Sequence, residues 1–284
     1  MLSYRHGFHA GHWADVHKHA ALTLLLRHLA EKDTPFCVVD PFAGDGVYDL
    51  TSAEAQKTGE FRSGIERIWR RTDAPPGVAD YLASVRAMNG GALTAYPGSP
   101  ALARTALRGS DALILGELHP TAYAGLRRWA AGDPRIHVHR RDGFELMGAL
   151  LPPPVRRGLA LVDPAYEVKA DYETLPAALM RALERWPTGI CMVWYPVLAE
   201  GRHAAMVAAL GRLPARAVLQ AEIAPPRSPA TGLRVSGLVV INPPWRFDAE
   251  VMAAGNWLAG ALWRPAGRST VRWLRRDAPA AKSI

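Results

Sequence analysis

The chain has 284 residues, 49 % of them apolar and 21 % charged, with a net charge of +8 and a sequence pI near 9.8. That length accommodates one domain with an insertion or two small ones, and the composition is that of a soluble globular protein. Two cysteines, Cys37 and Cys191, each inside an apolar run, exclude a disulfide framework, and the basic excess favours a polyanionic partner.

The N-terminus, MLSYRHGFHAGH, has no apolar signal core, and no run approaches the ~18 apolar residues of a membrane span. The expected compartment is the cytoplasm. Five of the ten histidines, His6, His9, His12, His17 and His19, lie before Ala20. No cysteine pair or His-Glu-x-x-His pattern accompanies them, so they read as aromatic and cationic groups near the entry of a polyanionic partner, and no metal is expected.

Strands are predicted at Phe36–Asp40, Ala112–Leu118, Ile136–Arg140, Leu159–Asp163, Gly189–Tyr195, Ala217–Ile223 and Leu238–Asn242. Several are continuous apolar runs, the pattern of a parallel sheet covered on both faces. Amphipathic helices fall between them, at Tyr123–Ala131, Tyr172–Trp186 and Arg202–Leu213. This alternation predicts a doubly wound α/β fold. Between Val47 and Leu93 no strand is predicted, but helical spacing is seen over Ser63–Arg71 and Val78–Met88, separated by Ala74-Pro75-Pro76-Gly77. The domain reading is therefore a main domain of residues 1–46 and 94–276, a helical insertion at 47–93 and a tail at 277–284.

Chemistry concentrates at the ends of the predicted strands. The first runs into Asp40-Pro41-Phe42-Ala43-Gly44-Asp45-Gly46, where glycines let the backbone approach a ligand, although the dinucleotide fingerprint is incomplete. The next three deliver Glu117, Asp142 (followed by Gly143) and Asp163 to the same edge of the sheet, where open α/β sheets bind ligands. Carboxylates there suit the ribose hydroxyls and adenine amine of an adenosine-bearing cofactor, or they cap the helices that follow. Ser99 is predicted as the N-cap, with Pro100 in first position, of a helix whose start abuts the Gly44–Gly46 turn and binds the cofactor carboxylate.

Asp163-Pro164-Ala165-Tyr166 is the sharpest signal. The lone pair of an aromatic exocyclic amine is delocalised into its ring. A carboxylate and a proline carbonyl accepting both N6 hydrogens draw that nitrogen toward sp³ character, while an aromatic ring stacks on the extruded base. The segment resembles the (Asp/Asn/Ser)-Pro-Pro-(Tyr/Phe/Trp) motif of amino methyltransferases, with Ala165 in place of the second proline. Asn242-Pro243-Pro244-Trp245 matches that motif letter for letter but follows the last predicted strand. Asp163 is therefore read as catalytic and Asn242 as structural.

A more specific resemblance covers most of the chain, to about Trp273. Tyr4-Arg5-His6-Gly7-Phe8-His9-Ala10-Gly11, Ala14–His19, Thr58-Gly59-Glu60, Tyr96–Pro100, Glu117–Pro120, Trp194-Tyr195-Pro196 and Ile241–Trp245 are similar to segments of the RlmJ family of 23S ribosomal RNA adenine-N6 methyltransferases. The resemblance implies a class I S-adenosyl-L-methionine-dependent fold with a mostly parallel seven-stranded sheet and a small helical insertion. It implies 23S ribosomal RNA as substrate, before ribosome assembly is complete, and a monomeric enzyme. By residue, it puts His19, with Lys18 beside it, and Ser99 at the methionine end of the cofactor, and Glu117 on the ribose. Asp142 and Gly143 frame the adenine, Asp163 accepts from the target amine, and Tyr4 and His6 face the RNA. Family members carry histidine where this chain has Phe42, which leaves only a backbone contact there.

Overall fold

Residues 5–276 are described by the computed structural model. Strand β1 (Cys37–Asp40) turns Val38 to one face of the sheet and Cys37 and Val39 to the other, and β6 (Gly158–Val162) splits Leu159 and Leu161 from Ala160 and Val162 in the same way. The period-two alternation feeds two hydrophobic clusters, one on each face, so these strands are apolar throughout. Helices α1 (Trp13–Ala30), α3 (Pro76–Ala87), α4 (Ser99–Ala106) and α9 (Phe247–Leu262) close the first face. Helices α6 (Gly143–Leu150), α7 (Asp171–Arg185) and α8 (His203–Leu210) close the second.

The remaining elements are β2 (Val47–Asp49), α2 (Ala53–Thr58), β3 (Ala95–Pro97), β4 (Ala112–Gly116), α5 (Pro120–Ala130), β5 (Ile136–His139), β7 (Ile190–Val197), β8 (Ala217–Ala224), β9 (Val235–Ile241) and β10 (Arg268–Arg276). The main sheet has the order β10-β8-β9-β7-β6-β1-β4-β5. Pairings from β5 to β7 are parallel, and β9 inserts antiparallel between β7 and β8. This is the class I S-adenosylmethionine-dependent methyltransferase fold. All seven predicted strands are present, and β10 adds an eighth by pairing antiparallel with β8.

The stretch from Val47 differs from its reading in two ways. It contains a strand, β2, which pairs antiparallel with β3, Val47 opposite Pro97. The helical spacing over Ser63–Arg71 forms two 3₁₀ turns, Glu60–Ser63 and Ile65–Arg67, instead of one helix. Gly64 breaks it: its backbone leaves helical geometry and lies so close to the N-terminal segment that a Cβ would sit 2.1 Å from the Gly11 carbonyl. The second predicted helix is α3, which packs Val78, Tyr81, Leu82 and Val85 into the same core as α1. Among the described residues no helix is long and apolar enough to cross a membrane.

Candidate active site

Parallel strands β1, β4, β5 and β6 all end at one edge, where Asp40 closes β1 and Glu117, Asp142 and Asp163 follow the other three. Asp40 is fully buried. Its Oδ2 accepts from Ser99 Oγ at 2.6 Å and its Oδ1 from the Phe42 amide at 3.2 Å. Burial outweighs those bonds and pushes its carboxyl up to about 6. Burial also raises Glu117, whose oxygens accept from the Gly44 amide at 3.0 Å and the His119 amide at 2.7 Å. Asp142 caps α6, accepting from the amides of Phe144 and Glu145.

Gly44 and Gly46 both have positive φ, which glycine adopts without steric penalty. The Gly46 carbonyl accepts from the Gly98 amide at 2.8 Å, so the β2–β3 ribbon draws the start of α4 against this turn. The N-cap of α4 is Gly98, not Ser99. The Ser99 hydroxyl is committed to Asp40 and cannot turn back onto the helix amides. Phe42 lies edge-on to Phe144, ring centroids 5.3 Å apart, and fills the space where a Cβ on Gly143 would stand.

The loop that follows β6 meets α1. Charged and polar side chains are rarely buried without partners, yet Asp15, His17, Lys18 and His19 on this helix are all buried. Each has a partner. The Lys18 ammonium bonds Asp163 Oδ2 and also Asp15 Oδ1 at 3.0 Å. Burial disfavours its charge, but the two carboxylates outweigh burial and hold its pKa above the ordinary lysine range. Asp15 also accepts from the Gly11 amide at 3.0 Å and pairs with His6 Nε2 at 2.9 Å. Against its burial, His6 and Lys18 hold its carboxyl well below the usual range. His17 Nδ1 bonds Ser236 Oγ at 3.0 Å and is pushed down to about 3 by burial, so it is neutral. His19 Nδ1 bonds the Tyr96 hydroxyl at 2.8 Å, three residues before Ser99, and burial with the neighbouring Lys18 charge keeps it neutral.

After Asp163 the chain turns sharply. Pro164 is buried, Ala165 is exposed, and Tyr166 has a positive φ of 56°. The Tyr166 ring packs 4.7 Å from Tyr172 and 6.1 Å from Trp194, and its hydroxyl donates to the Trp194 carbonyl at 2.6 Å. Trp194, half-buried, lies with its ring 5.9 Å from the Lys18 ammonium. Sequence reasoning assigned no role to Trp194 or Asp15. The available signal for Asp15 was an acid three residues before a lysine, in a helix whose residues up to Ala21 are otherwise apolar or histidine.

The N-terminal segment is fastened from Arg5 onward. Arg5 pairs with Glu54 at 2.5 Å, His9 with Glu60 at 3.0 Å, and Thr58 donates to the Phe8 carbonyl. Tyr4, predicted to face RNA, lies outside the described residues, as does the predicted tail. Arg157, just before β6, donates to the carbonyls of Thr34 (2.6 Å) and Leu29 (2.5 Å), bracing the end of α1 at the opposite edge of the sheet.

The family described as Ribosomal RNA large subunit methyltransferase D, RlmJ, matches residues 33–275. The chain belongs to it. Ribosomal RNA large subunit methyltransferase J of Escherichia coli is 44 % identical over 278 residues, covering 96 % of this chain and 99 % of that protein. Its namesake in Haemophilus influenzae is 40 % identical over the same coverage. Among solved structures, protein LPL1258 of Legionella pneumophila superposes with a TM-score of 0.87 at 33 % identity, over 93 % of this chain and 98 % of its own.

A methyltransferase of this fold takes its methyl group from S-adenosylmethionine, and the residues at the strand ends fit that molecule. Its sulfonium and ammonium are cations, and the edge presents the half-buried carboxylates of Glu117, Asp142 and Asp163. Lys18 is the cation paired with one of them. Glu117 and Asp142 stand at neighbouring strand ends for hydroxyl and amine donors, and the two positive-φ glycines keep the turn free of side chains.

Proposed function

We propose that the protein methylates the N6 amine of one adenosine in 23S ribosomal RNA. The observation that carries the reading is Asp163: the carboxylate directly after β6, in an Asp-Pro-Ala-Tyr loop, beside Lys18 and Trp194, in a chain of the RlmJ family. Membership of a ribosomal RNA methyltransferase family and the basic net charge support an RNA substrate.

The cofactor supplies an electrophilic methyl group on sulfonium. Glu117 takes the ribose hydroxyls, Asp142 and Gly143 with Phe42 bound the adenine, and Ser99, His19 and Lys18 form the wall at the methionine end. The target adenine leaves its stack and enters beside Trp194. Asp163 and the Pro164 carbonyl accept its two N6 hydrogens, so the nitrogen lone pair points at the methyl carbon instead of into the ring. As the N6–methyl bond forms, the methyl carbon's bond to sulfur breaks, leaving a neutral thioether, and one N6 proton passes by way of Asp163 to solvent. Lys18 orients Asp163 through the bond from its ammonium. Tyr166, expected from the motif to stack on the extruded base, is instead buried on Tyr172 with its hydroxyl on the Trp194 carbonyl, where it fixes the strained turn that aims the proline carbonyl. Tyr4 and His6 meet the RNA from the N-terminal segment.

The test is incubation of the enzyme with isotopically labelled S-adenosylmethionine and protein-free 23S RNA, assembled large subunits or duplex DNA, followed by nucleoside analysis. Label in N6-methyladenosine from protein-free 23S RNA is expected. Label only in DNA, or cofactor binding without transfer, overturns the reading.

A further inference from the structure

The second motif-like segment, Asn242–Trp245, stands outside the site above. Asn242 has a structural role, since its Oδ1 accepts from the Arg216 amide at 3.2 Å and its Nδ2 donates to the carbonyls of Pro187 and Gly189 at 3.0 Å each. Trp245 has none. It is 82 % exposed, whereas the other eight tryptophans are buried or half-buried. Two consecutive prolines present it, on a turn where Asn242 and Arg246 have positive φ (52° and 67°). Strain of this kind persists where the surroundings enforce it, often at sites of function.

Arginines surround it. Asn242 donates its amide to the Ala217 carbonyl, and β10 runs antiparallel to β8 so that Arg276 lies opposite Ala217. One corner of the molecule therefore carries Arg216, Arg246 and Arg276 around Trp245, with Arg212 at the end of α8 nearby. Each of these four is exposed, and none has an ion-pair partner among the described residues. The adjacent acids are Asp248 and Glu250 on the first turn of α9, the latter paired with His28. Because β9 is antiparallel, this corner lies at the opposite end of the strands from Asp163, roughly 20 Å away by strand rise and spacing.

We propose that this corner is a second RNA-contact site: an unpaired base stacks on Trp245 while Arg216 and Arg246 hold the flanking phosphates. Exposed arginines without a carboxylate partner among the described residues, beside an exposed aromatic, suit single-stranded nucleic acid, whose bases stack on rings and whose phosphates carry the charge. The inference rests on the RNA-methyltransferase reading, and it gives the enzyme a grip on RNA remote from the methylated base.

The test compares wild type, Trp245→Ala and Arg216→Gln/Arg246→Gln on protein-free 23S RNA and on a short hairpin around the mapped adenosine. Direct RNA affinity is measured over a salt series. For Trp245→Ala, KM on 23S RNA rises about tenfold with kcat unchanged, while the hairpin is processed as by wild type. The arginine variant loses about 1.4 from the slope of log affinity against log salt, roughly 0.7 for each single-strand phosphate contact removed. Wild-type KM and affinity in both variants overturn the proposal, as does an equal KM rise on the hairpin. A wild-type dimer that Trp245→Ala dissociates, with RNA binding unchanged, also overturns it and makes the corner a protein interface. If wild type transfers no methyl group at all, the function reading fails, and the affinity arm alone decides this one.

Discussion

Replacing Asp15 by Asn tests the link between α1, the N-terminal segment and the catalytic loop. The buried carboxylate bonds Gly11, His6 and Lys18 at 2.9–3.0 Å, so the change leaves a buried ammonium with Asp163 as its one remaining carboxylate. Removing one partner of a buried ion pair costs about 3–5 kcal/mol, and the surviving Asp163 contact puts this case near 3. For a chain of this size that lowers Tm by roughly 6–12 °C. The pH dependence has a definite sign. Asp15 is depressed well below its ordinary 3.8 in the folded state, so its contribution is complete above about pH 4 and fades as pH falls below that. Urea unfolding of both proteins at pH 7, 5, 4 and 3 therefore shows a constant gap at the first two and a narrowing one at the last. Methyl transfer falls more than cofactor affinity, because His6 loses its anchor and Lys18 closes on Asp163. Equal stability at pH 7, or a gap that widens in acid, refutes the reasoning.

Ser99→Ala removes the hydroxyl that donates to buried Asp40 and destabilises by about 1.5–3 kcal/mol at pH 7.5. Asp40 titrates near 6 when folded against 3.8 ordinarily, so its burial destabilises progressively between about pH 4 and 6. The Ser99→Ala penalty is accordingly smaller at pH 4.5, and equal penalties in urea melts at the two pH values contradict this. Glu117→Ala weakens S-adenosylmethionine binding roughly ten- to hundredfold by calorimetry. Unchanged affinity in the folded variant removes its ribose role.

Much of this was legible because the physics was local. Strands buried on both faces must be apolar throughout, which exposed β1, β4 and β6, and the acids directly after them marked the working edge. Other features depend on partners distant in sequence. Strands β2 and β3 have three residues each and exist as a pair only because the ribbon closes the chain between them. Strand β10 is an edge strand whose arginines hide its period-two pattern, since its outer side faces water. The Ser63–Arg71 stretch has helical spacing, but the close approach of Gly64 to Gly11 overrides it. Ser99 reads as a cap because its pull toward Asp40, 59 residues away, is invisible in sequence. Asp15 was missed because its value lies in the ion pairs it makes across the site.

The central claim is that Asp163, and not the better-matching Asn242, directs methyl transfer to an adenine amine. Asp163→Asn and Asn242→Ala, both verified as folded, are assayed on protein-free 23S RNA with labelled cofactor, with cofactor affinity measured in parallel. Asp163→Asn is expected to lose N6-methyladenosine formation by orders of magnitude. Asn242→Ala, which loses only the bonds to Arg216, Pro187 and Gly189, keeps near wild-type turnover with a lowered Tm. An active Asp163→Asn enzyme beside a folded, inactive Asn242→Ala enzyme would contradict the account.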